Sequence, residues 1–152
     1  MRADAFAGGI ELMHPKQWLF AASLAFTVAS CGPPNPVLYL KGTEAYSIGD
    51  RNFIRYNYDV QNKDEYDPAM FAAAPSLPPC GLNTNASRTW VHFYSKNGNR
   101  IYGFCALGSP SDLGNIWFAM EEGVVPPSWV YIELEDRQAN KIYKSNLAET
   151  TN

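Results

Sequence analysis

The chain holds only two histidines and three cysteines, and only 18% of its 152 residues are Asp, Glu, Lys or Arg. Each shortage removes a class of function. Twelve basic residues against fifteen acidic ones leave a net charge of −3, so no large basic surface exists to track a phosphate backbone, and nucleic-acid binding is excluded. Three cysteines do not make a dense disulfide scaffold, and no CxxC pair offers a zinc site. No motif calls for a cofactor. What is present is apolar and aromatic: 46% hydrophobic residues, 14% aromatic, nine of them Tyr. That is enough to close one real core, and a disordered chain is excluded.

The N-terminus reads as an address. Trp18 to Ser30, WLFAASLAFTVAS, carries no charge and ends in small side chains. It falls short of the roughly 20 residues a membrane-spanning helix needs. Gly32, Pro33, Pro34 and Pro36 then stop any helix. A short apolar run behind a basic residue, here Lys16, is the core of a secretory signal. Asp4 and Glu11 are out of place ahead of such a core, and Met13 opens a better signal than Met1. Residues 1–30 are therefore expected to be a signal peptide.

Val28-Ala29-Ser30-Cys31 resembles the lipobox of bacterial lipoproteins, with Val28 where that family usually has Leu. The resemblance covers the first 31 residues alone. It implies cleavage between Ser30 and Cys31, acylation of the Cys31 thiol and new amine by fatty acids such as palmitate, and attachment to the membrane through that lipid. Gly32 in place of an aspartate then implies the outer membrane, in a host that has one. Cleavage by the ordinary signal peptidase after Ser30 also fits and implies a periplasmic or secreted protein. Residues 31–36, CGPPNP, read as a tether, and residues 37–152 as the domain.

The domain reads as strands. Val37–Tyr46 is an extended run, and Phe53–Val60 alternates Ile54, Tyr56, Tyr58 and Val60 against Arg55, Asn57 and Asp59. Thr89–Ser95 and Arg100–Leu107 flank Lys96-Asn97-Gly98-Asn99, which predicts a hairpin with a type I′ turn. Asn115–Met120, Trp129–Asp136 and Lys141–Asn146 complete seven strands. Met70–Ala74 is a short apolar or helical turn and Pro75–Cys80 a rigid irregular loop. Seven antiparallel strands with almost no helix resemble the immunoglobulin-like or fibronectin type III sandwich, an all-β fold, although the antibody spacing of Cys, Trp and Cys is missing. The segments PPCGLNTNASRTW and YGFCAL are similar to small exported bacterial domains, a resemblance that brings no chemistry with it. Once Cys31 takes lipid, Cys80 and Cys105 remain. In an oxidising compartment they form a bridge; the other reading is two buried thiols.

Catalytic candidates are thin. His14 leaves with the signal, and His92 lies inside a strand beside Trp90 and Tyr94. No GxSxG elbow or base-matched Cys is visible. Glu133 and Glu135, Glu121 and Glu122, or the Asp64–Glu65–Asp67 cluster could supply paired carboxylates. Asn62, Asp64, Asp67 and Asp59 could offer calcium oxygens, but without an EF-hand spacing. Arg88 and Arg137 either pair with acids or bind a ligand. The aromatics are the stronger lead. If Val130, Ile132 and Leu134 face the core, then Trp129 and Tyr131 are exposed beside Glu133 and Glu135. Such a patch stacks on sugars or anchors a protein partner; alternatively Trp129 caps the sandwich end. The expectation is a lipid-anchored envelope protein whose sandwich is a non-enzymatic binding or assembly module for a protein or glycan. The rival reading is a small secreted hydrolase or enzyme inhibitor, which would need a deep cleft lined by acids or by His92 with an acid.

Overall fold

The computed structural model describes residues 32–82 and 86–151. The expected signal peptide, residues 1–30, and Cys31 lie outside them. Eight antiparallel strands form two sheets. β1 (Leu38–Ile48), β2 (Arg51–Val60) and β5 (Ile116–Glu121) make a three-stranded sheet in the order β1-β2-β5. β3 (Thr89–Ser95), β4 (Arg100–Phe104), β6 (Trp129–Asp136) and β7 (Lys141–Lys144) make the second, in the order β4-β3-β6-β7. β8 (Ala148–Glu149) also pairs with β6. In immunoglobulin terms the first sheet is A-B-E, and the second is G-F-C extended by a C′ strand. The fold is the expected immunoglobulin-like β-sandwich, with eight strands rather than seven.

The eighth strand arises because the last edge strand is interrupted. β7 pairs with the C-terminal half of β6, and β8 with its first two residues. Between them Ser145 fills the gap: its backbone amide donates to the Ile132 carbonyl at 2.9 Å, and its hydroxyl accepts from the Ile132 amide at 2.9 Å. A side-chain oxygen thus replaces a missing ladder carbonyl, and no buried amide of β6 is orphaned there. Asn146 then reaches across to β1, where its amide group bonds both the amide and the carbonyl of Leu38 at 2.8 and 2.9 Å.

The alternation of β2 holds. Tyr56, Tyr58 and Val60 are buried, while Arg55, Asn57 and Asp59 face outward. The inner faces meet through aromatic rings rather than through the antibody-type Trp and disulfide. Phe118 stacks on Tyr56 and Tyr58 at 4.9 and 5.9 Å, and Phe93 from the opposite sheet packs against Tyr58 and Phe118 at 5.4 and 5.5 Å. Val130, Ile132 and Leu134 are fully buried beside them.

Three local expectations need correction. The hairpin between β3 and β4 is present, but its turn is not type I′. Gly98 alone takes positive φ (84°), its amide donates to Ser95 O, and the register slips by one residue at Tyr94. That is a turn closed by a left-handed glycine with a bulge, a longer-loop solution to the same sequence signal. The strand after it ends at Phe104, three residues short of Leu107, where the chain turns away to the Cys80–Cys105 disulfide. Finally, residues 34–36 are not a free tether. Pro34 O accepts from Tyr66 Oη at 2.8 Å, Asn35 O from Asn62 Nδ2 at 3.1 Å, and Pro36 is buried.

Candidate functional site

The sequence pointed to the outer face of β6; the middle of that face is closed, while Trp129 at its start lines a smaller concavity, of about 250 Å³, with Ser95, Lys96, Asn97, Pro127 and Ser128. Trp129 is 37% exposed, but Tyr131 is buried, contrary to the expected exposed pair. Tyr131 stacks on Tyr94 at 5.3 Å, and the Lys144 ammonium covers its ring at 3.9 Å. Alternation along β6 was read correctly; the neighbouring strands β3 and β7, which supply this cover, were not foreseeable from it. Glu133 and Glu135 are half-buried on the same face, and Glu135 Oε2 lies 3.0 Å from His92 Nε2. His92 is only 6% exposed. It sits edge-on to Trp90 and Tyr94, and a Cβ on Gly103 would come within 2.8 Å of its Nδ1. Only glycine fits there. The His–carboxylate contact that an enzyme would need exists, but it lies packed into a sheet face.

The arginines are structural at this end of the molecule. Arg88 makes a two-pronged bond to Asp136 at 2.8 and 2.6 Å, and Asp136 also accepts from the amides of Gln138 and Ala139. Burial pushes the Asp136 carboxyl up, but the Arg88 guanidinium and these amides outweigh it and hold it below the usual carboxylate range. Arg137 lies over Trp90 at 4.0 Å and donates to Pro78 O. Three of the four calcium candidates are likewise committed within the fold. Asp59 pairs with Lys63 and Tyr39, Asp67 accepts from the Ala69 amide, and Asn62 bonds residues 35 and 37. Among the described residues no cluster of three His, Cys, Asp or Glu is placed to hold a metal.

The open site lies on the outer face of β1, β2 and β5. A concavity of about 440 Å³ is lined by Lys41, Gly42, Thr43, Arg55, Asn57, Asn115 and Trp117. Its origin is local. The β1–β2 register shifts between Leu40 and Gly42, and Gly42 at φ 152° takes a backbone conformation that side chains avoid. The bulge therefore leaves no side chain opposite Asn57, and a depression opens there.

Arg55 forms its wall. The guanidinium lies over Trp117 at 4.5 Å and over Tyr46 at 5.1 Å, and Glu44 Oε2 is 3.7 Å from it. Trp117 is supported in turn by Tyr102 at 5.3 Å and Phe104 at 6.0 Å, from the edge strand of the other sheet. Tyr46 stacks on Phe53 at 5.5 Å, and Arg51 lies over that ring. Arg55 is thus held against both rings, while its Nε is buried without a hydrogen-bond partner. Lys41 Nζ donates to Gly114 O at 3.0 Å and has no carboxylate within ion-pair distance among the described residues. The alternation of β2 already set Arg55 and Asn57 on the face opposite Tyr56 and Tyr58, whereas Trp117 was read only as part of a strand. What the sequence did not give was the pairing of β2 with β5, which puts Asn57 opposite Trp117.

Compared with protein families, with curated proteins and with solved structures, the chain matches none.

Proposed function

We propose that the protein is a lipid-anchored binding module of the bacterial envelope and that it engages its partner through the outer face of β1, β2 and β5. The observation that carries this reading is Arg55, clamped between Tyr46 and Trp117 beside a concavity opened by the β1 bulge. A fixed cation and hydrogen-bonding side chains around an open depression suit recognition of a ligand. The anchor rests on the Val28–Cys31 sequence. The packing of residues 34–36 supports a short spacer: only Gly32 and Pro33 separate Cys31 from a backbone already bonded to the fold.

Two measurements test the two halves. The wild-type chain should fractionate with membranes and carry acyl mass at Cys31, and Cys31→Ser should lose both; a soluble wild type with unmodified Cys31 at its N-terminus means ordinary secretion. For the binding face, a photo-cross-linker at Thr43 should capture an envelope component that one at Ile142, exposed on β7, does not. Arg55→Glu should abolish that capture. Equal capture from both positions would refute the assignment of the face.

A further inference from the structure

We infer that the concavity beside Arg55 is a subsite for an anionic saccharide, with Arg55 and Lys41 holding its carboxylate or phosphate group. The inference rests on the binding face assigned above and adds the ligand's chemistry.

The first argument is charge. The chain as a whole is at −3. At the concavity, however, the charged lining residues are Lys41 and Arg55, and no acid lines it. The acids on the three strands are largely committed. Asp59 is bound by Lys63 at 2.9 Å and Tyr39 at 2.8 Å, and Glu121 by Arg51 at 2.9 Å. Glu44 reaches Arg55 only at 3.7 Å and is 60% exposed. Lys41 has a carbonyl and an amide oxygen for company, at 3.0 and 3.5 Å, and no acid within ion-pair distance among the described residues. The lining of the depression is therefore positive, and its Lys41 is without an ion-pair partner among the described residues.

The second argument is the lining. Lys41, Thr43, Arg55, Asn57 and Asn115 all carry donors, and no carboxylate lines the concavity. A planar guanidinium held against two rings at a concavity is the group that pairs two-pronged with carboxylate or phosphate. The clamp by Tyr46 and Trp117 removes the rotamer freedom that would otherwise oppose binding. A bare ion would leave most of the depression, about 440 Å³, unfilled. Thr43, Asn57 and Asn115, arrayed round the fork, suit the ring hydroxyls of a sugar that carries the anion.

The test is calorimetric titration of the full chain in detergent with four probes: trigalacturonate, glucose 6-phosphate, maltotriose and inorganic phosphate. Binding of trigalacturonate or glucose 6-phosphate, with maltotriose and inorganic phosphate at least about tenfold weaker, supports the inference, and the stronger of the two anionic sugars identifies the acid group. Arg55→Lys keeps the charge and loses the fork; it should weaken binding about tenfold or more. Lys41→Ala should weaken it too and flatten its dependence on salt. Thermal melting of both variants separates lost binding from lost folding, and Lys144→Ala, on the opposite sheet, should bind as wild type does. The inference falls if neither anionic sugar binds, if maltotriose or inorganic phosphate binds as tightly, or if Arg55→Lys is indistinguishable from wild type. Cross-linking at Thr43 that remains sensitive to Arg55→Glu while no anionic sugar binds would sink this inference and leave the binding face standing.

Discussion

On the outer face of β6 a lysine ammonium lies over Tyr131; on the outer face of β2 an arginine lies over Trp117. The two contacts are of one type, a cation against the negative face of a ring. Their surroundings differ. Around Tyr131 the pairing of β3 with β6 is in even register, the β3–β4 slip at Tyr94 is covered by packed rings, and Gly103 closes against the His92 ring, whose Nδ1 is buried without a partner. Around Trp117 the register breaks at the β1 bulge, a side chain is missing opposite Asn57, and a depression opens beside a guanidinium with an unpartnered Nε. A row of aromatic and charged side chains does not of itself make a site. Both faces carry a bulge and an unpartnered buried nitrogen; they differ in that the bulge at Gly42 has no side chain to fill it and so leaves an open concavity.

If that division is right, changes in the five-stranded sheet should lower stability and leave binding intact below the melting transition. The largest effect is expected at the end of β6. Asp136 is 2% exposed and bound by Arg88 and two backbone amides. Asp136→Ala strands the Arg88 guanidinium, and breaking a buried pair of this kind costs about 3–5 kcal/mol. The pH dependence has a definite sign. The folded carboxyl titrates below its unfolded value, so its contribution is complete above the ordinary aspartate range and is lost as pH falls through the lower, folded pKa. Asp136→Asn should therefore flatten the acid limb of the stability curve. An acid limb unchanged in the variant would show that Asp136 does not set it.

Next comes the Cys80–Cys105 bridge, which closes a separation of 25 residues. In the chain-entropy account a loop of that size contributes roughly 3 kcal/mol. Reduction should lower the melting temperature by on the order of 10 °C while far-ultraviolet circular dichroism keeps its strand signal, since the aromatic core does not depend on the bridge. An unchanged melting temperature would contradict this. A smaller loss is expected for Ser145→Ala. It leaves the Ile132 amide without its acceptor, at a cost of about 1–3 kcal/mol, and amide exchange at Ile132 should rise before that of its neighbours.

The fold was legible because its evidence is local and periodic. Alternation marked Ile54–Val60 and Val130–Leu134 as core-facing, and the bounds of Thr89–Ser95 and Trp129–Asp136 agree with the strands formed. The site was legible only by half. Alternation sets Arg55 opposite the core residues of β2, but a single sequence does not say that β2 lies between β1 and β5, that Trp117 comes beside Arg55, or that β1 slips a residue at Gly42. Trp129 and Tyr131 misled for the same reason. Their own strand was read correctly, and the residues that bury Tyr131, namely Tyr94 and Lys144, come from strands whose pairing was unknown. The uncharged segment from Pro68 to Ser87 hid another feature. Nothing in it announces that Arg88, directly after it, would lock onto Asp136.

The smallest effect makes the sharpest test of the two faces, because it compares like with like. Lys144→Ala removes the cation over Tyr131, and an exposed contact of this type is worth about 0.5–1 kcal/mol. Tyr131 stays packed on Tyr94, so the face remains closed and only a small drop in melting temperature should follow. Arg55→Ala removes the matching cation over Trp117, which keeps Tyr102 and Phe104 as support. Its effect on melting should be comparably small, yet binding at the Thr43 face should be lost. The pair thus holds the type of contact constant and varies only the neighbourhood. Two similar shifts in melting with loss of binding in Arg55→Ala alone would place function on the three-stranded sheet. Loss of binding in Lys144→Ala as well would mean that the β6 face, for all its packing, also takes part.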